Sequence, residues 1–315
     1  MLKKTACVIL ILMTALLAGC WNNRDITELA IVTGLGVDKA ADGNIEFTAQ
    51  IISAAKSGGS QSSSGSAQGS GSTVTVSAEG ATVFDAARNL IPKLSQKAFY
   101  SHVQLLAVGE AAAKGGLDKI WDFFERDHEM NRAARLIVVK GGTAKSVLEA
   151  NADIDQIGAV EIADTMGSTA YGKNVDSVAY DLTELLSQPL AGMVSGVIDP
   201  CGAVTLKDMK VEGGAVFKHA KLIGYLDDDQ TRGYLFAQSL IKSTILTIAN
   251  PEEAGDLVSL EVISSNGKLT ARLEGGKPIL GIEIEAMGNI GEEQGSADLT
   301  DENDIEILEK EAQTL

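Results

Sequence analysis

The 315-residue chain is 45% hydrophobic, enough for real cores, and its 43 acidic against 26 basic side chains give a formal charge of −17. That balance excludes nucleic acid and argues against holding anionic lipid by charge. Cys7 and Cys20 sit at the leading end and leave only Cys201 in the body, which excludes an intrachain disulfide there and a cysteine-rich metal centre.

The chain opens on Lys3 and Lys4, an apolar run Val8–Leu17, and Leu17-Ala18-Gly19-Cys20. Basic end, apolar stretch and small residues at a cut site make a secretory targeting segment. The uncharged run Thr5–Gly19 falls short of the roughly 20 residues a transmembrane helix needs. A cysteine directly after Ala-Gly reads as a bacterial lipobox, with 1–19 removed and Cys20 carrying lipid on its thiol and amine. Several acyl chains together anchor firmly. The expectation is a body tethered outside the cytoplasmic membrane through Cys20.

Residues 20–200 read as one mixed α/β domain. Ala30–Val37 and Ile45–Ser53 form a hairpin around Asp38–Asn44. Gly34 and Gly36 do not make a dinucleotide fingerprint, since a third glycine is missing and a turn follows. Ser57–Ser72 is nearly all Gly, Ser and Gln and reads as a flexible loop inside the domain. Thr73–Ser77 returns as a strand. Val83, Ala87, Leu90 and Leu94 have helical spacing within Glu79–Gln96, and Pro92 kinks or ends that helix. His102–Val108 and Arg135–Val139 read as buried strands. Leu117–Glu125 is a helix with Leu117, Ile120 and Phe124 on one stripe. Thr143–Ala150, Ile154–Tyr171 and Tyr180–Ser187 are further helices, and Gly192–Asp199 a strand. Alternating strands and helices after an opening hairpin predict a mixed α/β layer.

Residues 201–276 read as a strand-rich middle domain. Met209–Phe217 and Lys221–Leu226 pair around Lys218-His219-Ala220. Asp227–Ser239 is a helix whose opening aspartates suit its N-terminus. Leu240–Ile248, Leu257–Ser264 and Lys268–Glu274 are strands, with Asn266-Gly267 as a hairpin turn. Residues 277–315 hold an alternating strand, Ile279–Met287, and an acidic helix with Ile305 and Leu308 inward. They read as the start of a third, truncated domain.

Catalytic chemistry finds no support. His102, His128 and His219 lie in separate elements without metal-ligand spacing, and no nucleophile or phosphate-binding motif is present. No cofactor is expected. The polar run Arg126-Asp127-His128-Glu129, with Arg132, follows an aromatic helix. It reads as either a salt-bridged cap or a partner-binding rim.

Four blocks carry a family likeness. The first is Gly19-Cys20-Trp21 with Arg24, Asp25, Glu28, Ala30-Ile31-Val32, Gly34, Gly36 and Asp38. The second holds Ser101-His102-Val103, Gly109-Glu110 and Phe123–Arg132 (FFERDHEMNR). The third is Gly214–Phe217, Lys221, Leu222, Gly224, Leu226 and Thr231-Arg232-Gly233, and the fourth Gly288-Asn289-Ile290. In this order they resemble the C-subunit lipoproteins of spore germinant receptors, the Ger(x)C family of endospore-forming bacteria.

The resemblance implies a multidomain α+β lipoprotein on the outer face of the cytoplasmic membrane, the spore inner membrane in the dormant spore. It implies a non-enzymatic subunit that assembles with an integral A subunit and a transporter-like B subunit, in a receptor that answers nutrients by triggering germination. Direct small-molecule binding is not expected of it. A lipid-anchored solute-binding protein is the alternative. Besides Cys20, the residues expected in structural or partner-contact roles are Trp21, Arg24, Asp25, Glu28, Arg126, Asp127, His128, Glu129, Arg132, Asp227, Arg232 and Gly233.

Overall fold

The computed structural model describes residues 26–52, 73–150, 157–167, 172–187, 192–199, 209–251, 253, 255–295 and 301–314, with Thr5. Cys20, Trp21, Arg24 and Asp25, the Ser57–Ser72 loop and the Pro200-Cys201-Gly202 turn lie outside these residues.

The architecture is mixed α/β, built on two sheets flanked by helices. In the larger, nine-stranded sheet, β1 (Leu29–Lys39) and β2 (Ile45–Ile52) form the expected hairpin, and β3 (Thr73–Gly80) joins β2 antiparallel. On the other flank of β1 lies β5 (Leu105–Gly109), followed by β6 (Arg135–Val139) and β7 (Gly192–Asp199), each parallel to its neighbour. A short β4 (Lys97–Phe99) runs parallel to the first residues of β1. β8 (Lys210–Lys218) and β9 (Lys221–Leu226) complete the sheet antiparallel. The sequences LLAVG of β5 and LIVV of β6 are buried throughout, because helices cover both faces of these central strands.

One face carries α1 (Val83–Leu90), α2 (Glu110–Gly115), α3 (Asp118–Arg126) and α6 (Ala179–Ser187). They pack Leu90, Trp121, Phe124 and Leu182 against Leu35, Phe47, Leu106 and Leu136. The other face carries α4 (Ala144–Glu149) and α5 (Gly158–Gly167), whose Leu148, Ala159 and Met166 meet Leu105 and Ile137. Local signals set the helix ends. Thr82 and Thr143 accept from the backbone amides of Asp85 and Ser146, and Pro92 sits in the 3₁₀ turn Ile91–Lys93 that follows α1. Gly34 and Gly36 have a packing role. A Cβ on Gly34 would lie 2.6 Å from Ala159 Cβ, so glycine lets α4 and α5 settle onto β1.

The smaller sheet holds β10 (Thr244–Ala249), β11 (Leu257–Glu274) and β12 (Lys277–Glu293) in that order. α7 (Asp228–Ala237) and α8 (Glu302–Ala312) lie on its inner half, through Leu235 and Phe236 on Val262 and Leu308 on Val258.

The large sheet runs from β7 through β8 into β9, and β11 and β12 form one hairpin. One expectation changes here. Asn266-Gly267 is not a turn but lies inside β11, paired with Glu285 and Ile284. Glycine is needed at 267 because the carbonyls closing α7 press on it: an added Cβ would lie 2.3 Å from the Phe236 oxygen. The hairpin turns instead at Gly275-Gly276, both at positive φ (57° and 78°), the conformation a two-residue turn demands.

Candidate functional site

Because β1, β5, β6 and β7 run the same way, the connections entering them share one end of the sheet and those leaving share the other. The entering end gathers the 3₁₀ turn Ile26–Glu28, the segment before β5, and the Asp127–Ala134 loop before β6.

The loop is positioned by α3. Its spacing buries Ile120, Trp121 and Phe124, and the Trp121 indole N–H donates to Thr183 Oγ1 at 3.1 Å. Phe123 meets Phe47 edge-on with 6.0 Å between ring centroids and lies 5.9 Å from the exposed Phe84 ring. α3 stops at Arg126, and side chains then shape the chain. Asp127 Oδ1 accepts from the Glu129 amide at 2.8 Å, and Asn131 Oδ1 from the Ala133 amide at 3.0 Å. Neighbouring segments pin the loop: Ser101 Oγ donates to the Glu129 carbonyl, Asn131 Nδ2 to the Val103 carbonyl and the Tyr180 amide to the Arg132 carbonyl.

Its charges divide into two ion pairs and an open rim. Arg126 Nε reaches both oxygens of Asp122 at 2.9 Å, one turn back on α3. Glu129 receives Lys97 Nζ at 2.8 Å from β4. Burial, with the Asp127 and Glu129 carboxylates nearby, pushes the Tyr100 hydroxyl up to about 12. Arg126, His128 and Arg132 are all exposed. The backbone and acids of the run thus form a cap, and its bases point outward. The cavity beneath, lined by Leu35, Trp121, Phe124, Met130 and Arg132 among others, has a volume of about 10 Å³, room for one water.

Glu28, also exposed, stands at this same end, since Leu29 after it pairs with Lys97. Asp227, Arg232 and Gly233 do not join it. β9 ends at the leaving end, so α7 begins there. Asp227 caps α7 in a reciprocal bond with Gln230, Arg232 pairs with Asp229 at 2.7 Å, and Gly233 faces open space. These residues build a helix start.

At the leaving end lies a polar cluster that sequence reading passed over except as the block Gly109-Glu110. The Glu110 carboxylate accepts from Lys114, from the Gly141 amide at 2.6 Å and from the Tyr225 hydroxyl at 2.9 Å. Those bonds, with Lys114 first, draw its pKa down to about 2. Nearby, Asp38 is 3% exposed and accepts from the Ala144 and Lys145 amides at 2.8 and 2.9 Å. Among the described residues there is no group of three or more His, Cys, Asp or Glu arranged to hold a metal, and no helix long and apolar enough to cross a membrane.

A family model described as "Spore germination protein N-terminal domain" matches residues 22–195, and one described as "Spore germination B3/ GerAC like, C-terminal" matches 212–314. The chain belongs to the GerAC-like family of spore germination proteins. Spore germination protein KC of Bacillus subtilis (strain 168) is 28% identical over 330 residues, covering 98% of this chain and 80% of that one. Spore germination protein B3 of the same organism is 23% identical over 292 residues, covering 91% and 74%. Among solved structures, the crystal structure of the GerBC protein aligns with 92% of this chain and 81% of its own, at a TM-score of 0.47 and 18% identity. The larger sheet draws strands from both matched segments, the smaller sheet lies within the second, and the FFERDHEMNR loop lies in the first.

Proposed function

We propose that the chain acts as the non-enzymatic, lipid-anchored C subunit of a nutrient germinant receptor, held at the outer face of the cytoplasmic membrane and, in the spore, at the inner membrane. The observation that carries this reading is the pair of germination-family matches spanning 22–195 and 212–314, directly after a signal-like segment that ends in Ala-Gly-Cys20. Lipid on Cys20 is the anchor. The receptor's A and B membrane subunits are the partners, and the entering end of the large sheet, with Glu28, Arg126, His128 and Arg132, is their contact surface. β1 begins eight residues after Trp21, which brings the chain from its anchor to that end of the sheet. The water-sized cavity under the loop weighs against direct capture of an amino acid or sugar there.

The test is affinity capture of the full chain from detergent-solubilised spore membranes, with mass spectrometry of the retained proteins and of the chain itself. Recovery of an integral A-type subunit and a transporter-like protein, with a lipid-modified Cys20, supports the reading. Recovery of the chain alone, or without lipid, overturns it. Retention of Cys20→Ala in membranes at the wild-type level removes the anchor from the proposal.

A further inference from the structure

The chain holds one Asn-Gly step, Asn266-Gly267, and β11 carries it in mid-strand. An asparagine before glycine is chemically fragile. The glycine amide nitrogen attacks the asparagine Cγ and closes a succinimide ring, while the Cγ–Nδ2 bond breaks and the amide proton leaves with ammonia. Water then opens the ring at either carbonyl, giving aspartate or isoaspartate. Attack needs a glycine N–H free of any partner and a backbone turned out of the extended form.

The fold withholds both. Asn266 and Gly267 stand opposite Glu285 and Ile284 in the ladder, which keeps the chain extended, although the Asn266 side chain is exposed to water. On the other edge of β11 the pairing with β10 stops at Val262, and Ser239 takes over at Gly267. The Gly267 N–H donates to Ser239 Oγ at 2.8 Å, and the same hydroxyl donates to the Gly267 carbonyl at 3.1 Å. Ser239 holds this place at a conformational cost. α7 closes with the Ser239 amide on the Phe236 carbonyl and the Leu240 amide on the Leu235 carbonyl, with φ of 59° at Ser239. Such a closure favours glycine, and only the hydroxyl of serine makes the two bonds to Gly267.

We propose that Asn266-Gly267 is a latent self-modification site that Ser239 holds shut, and that its conversion unseats the ribbon from α7. Isoaspartate adds one main-chain carbon to β11 and so shifts every later residue against β12, from Lys268–Glu283 outward. Aspartate puts a carboxylate directly opposite Glu285, and like charges opposed across strands destabilise. The Phe236 and Ala237 carbonyls leave no slack, since a Cβ at 267 would lie 2.3 and 2.6 Å from them. The reaction needs only water and runs one way, so it records how often the end of α7 lets go of β11.

The experiment incubates the purified full chain in detergent at mildly alkaline pH and follows the tryptic peptide Ser243–Lys268 by mass spectrometry. Fragment ions separate Asn266 from Asn250 and isoaspartate from aspartate. Folded wild type runs beside wild type in guanidinium chloride and beside Ser239→Gly, whose glycine suits the φ of 59°. Folded wild type is expected to convert at least about tenfold more slowly than the unfolded chain, because conversion waits on local opening. Ser239→Gly, with both hydroxyl bonds gone, is expected to convert about tenfold faster than folded wild type. Equal rates for folded and unfolded wild type overturn the proposal, and that comparison needs no variant to fold. A Ser239→Gly chain that is folded by circular dichroism and converts no faster than wild type overturns it too. The converted chain, separated by its added negative charge, is expected to unfold at lower urea, and an unchanged midpoint overturns the unseating of the ribbon.

Discussion

The hydroxyl of Tyr225 donates to the carboxylate of Glu110 at 2.9 Å and so fastens β9, the last strand of the large sheet, to the helix that follows β5. One residue is in each of the two family-matched segments, so the bond ties them within one sheet. Tyr225→Phe removes the donor and leaves Glu110 its bonds to Lys114 and Gly141. The expected loss is about 1 kcal/mol of unfolding free energy, read as a lower urea midpoint at unchanged slope. A midpoint equal to wild type would show that water replaces the hydroxyl at no cost.

Glu110 also sets an acid limb. Its pKa is drawn from 4.5 down to about 2 in the fold, chiefly by Lys114, then by the Gly141 amide and Tyr225. A depressed folded-state pKa means stability that is present above the unfolded value and lost as pH falls from 4.5 toward 2. Glu110→Gln should therefore be less stable than wild type near neutrality and converge on it at the acid end of that window. Asp38 runs the other way. Burial outweighs its two amide bonds and raises its pKa, so its contribution is largest with the carboxyl protonated and falls as pH rises through the raised value. Urea melts at a series of pH values separate the two.

Glycine positions give a pair of opposite outcomes. Gly34→Ala puts a methyl group 2.6 Å from Ala159 and 2.8 Å from Leu148, in a fully packed layer, and should cost about 1–3 kcal/mol. Gly233→Ala adds a methyl in open space inside α7 and should stabilise by up to about 1 kcal/mol. Thermal melts of the two variants should move in opposite directions. A neutral Gly34→Ala would mean that α4 and α5 can withdraw from β1 without loss.

What the sequence made legible was local. The β1–β2 hairpin, the helix opening near Thr143, the turn around His219 and the acidic start of α7 all follow from residues within a few positions of one another. Sheet order did not, because β1 pairs with β4 and β5 across long intervening segments. Asn266-Gly267 misled for the same reason: a good local turn signal met a long-range contact from α7 that needed glycine within a strand. The Glu110 cluster draws on Gly141 and Tyr225, far along the chain, and no spacing rule brings those together. The FFERDHEMNR loop was visible as a polar run, but its ion partners Asp122 and Lys97 lie outside that run.

Those partners decide the last prediction. The Arg126–Asp122 pair has side-chain exposures of 78% and 64%, and such surface pairs contribute little to stability. Arg132 holds the fold through its backbone carbonyl, which any residue supplies, while its side chain is exposed. Arg126→Glu with Arg132→Glu therefore keeps the fold, with a loss of no more than about 1 kcal/mol that includes repulsion between Asp122 and the carboxylate introduced one turn away. It reverses the charge of the rim proposed to meet the receptor's membrane subunits. The expected outcome is an unfolding midpoint close to wild type together with much reduced recovery of partners in the membrane capture experiment. Full recovery with an intact fold would move the contact surface away from this loop. A collapsed midpoint would show that the arginines hold the cap, and the rim would lose its claim as a docking surface.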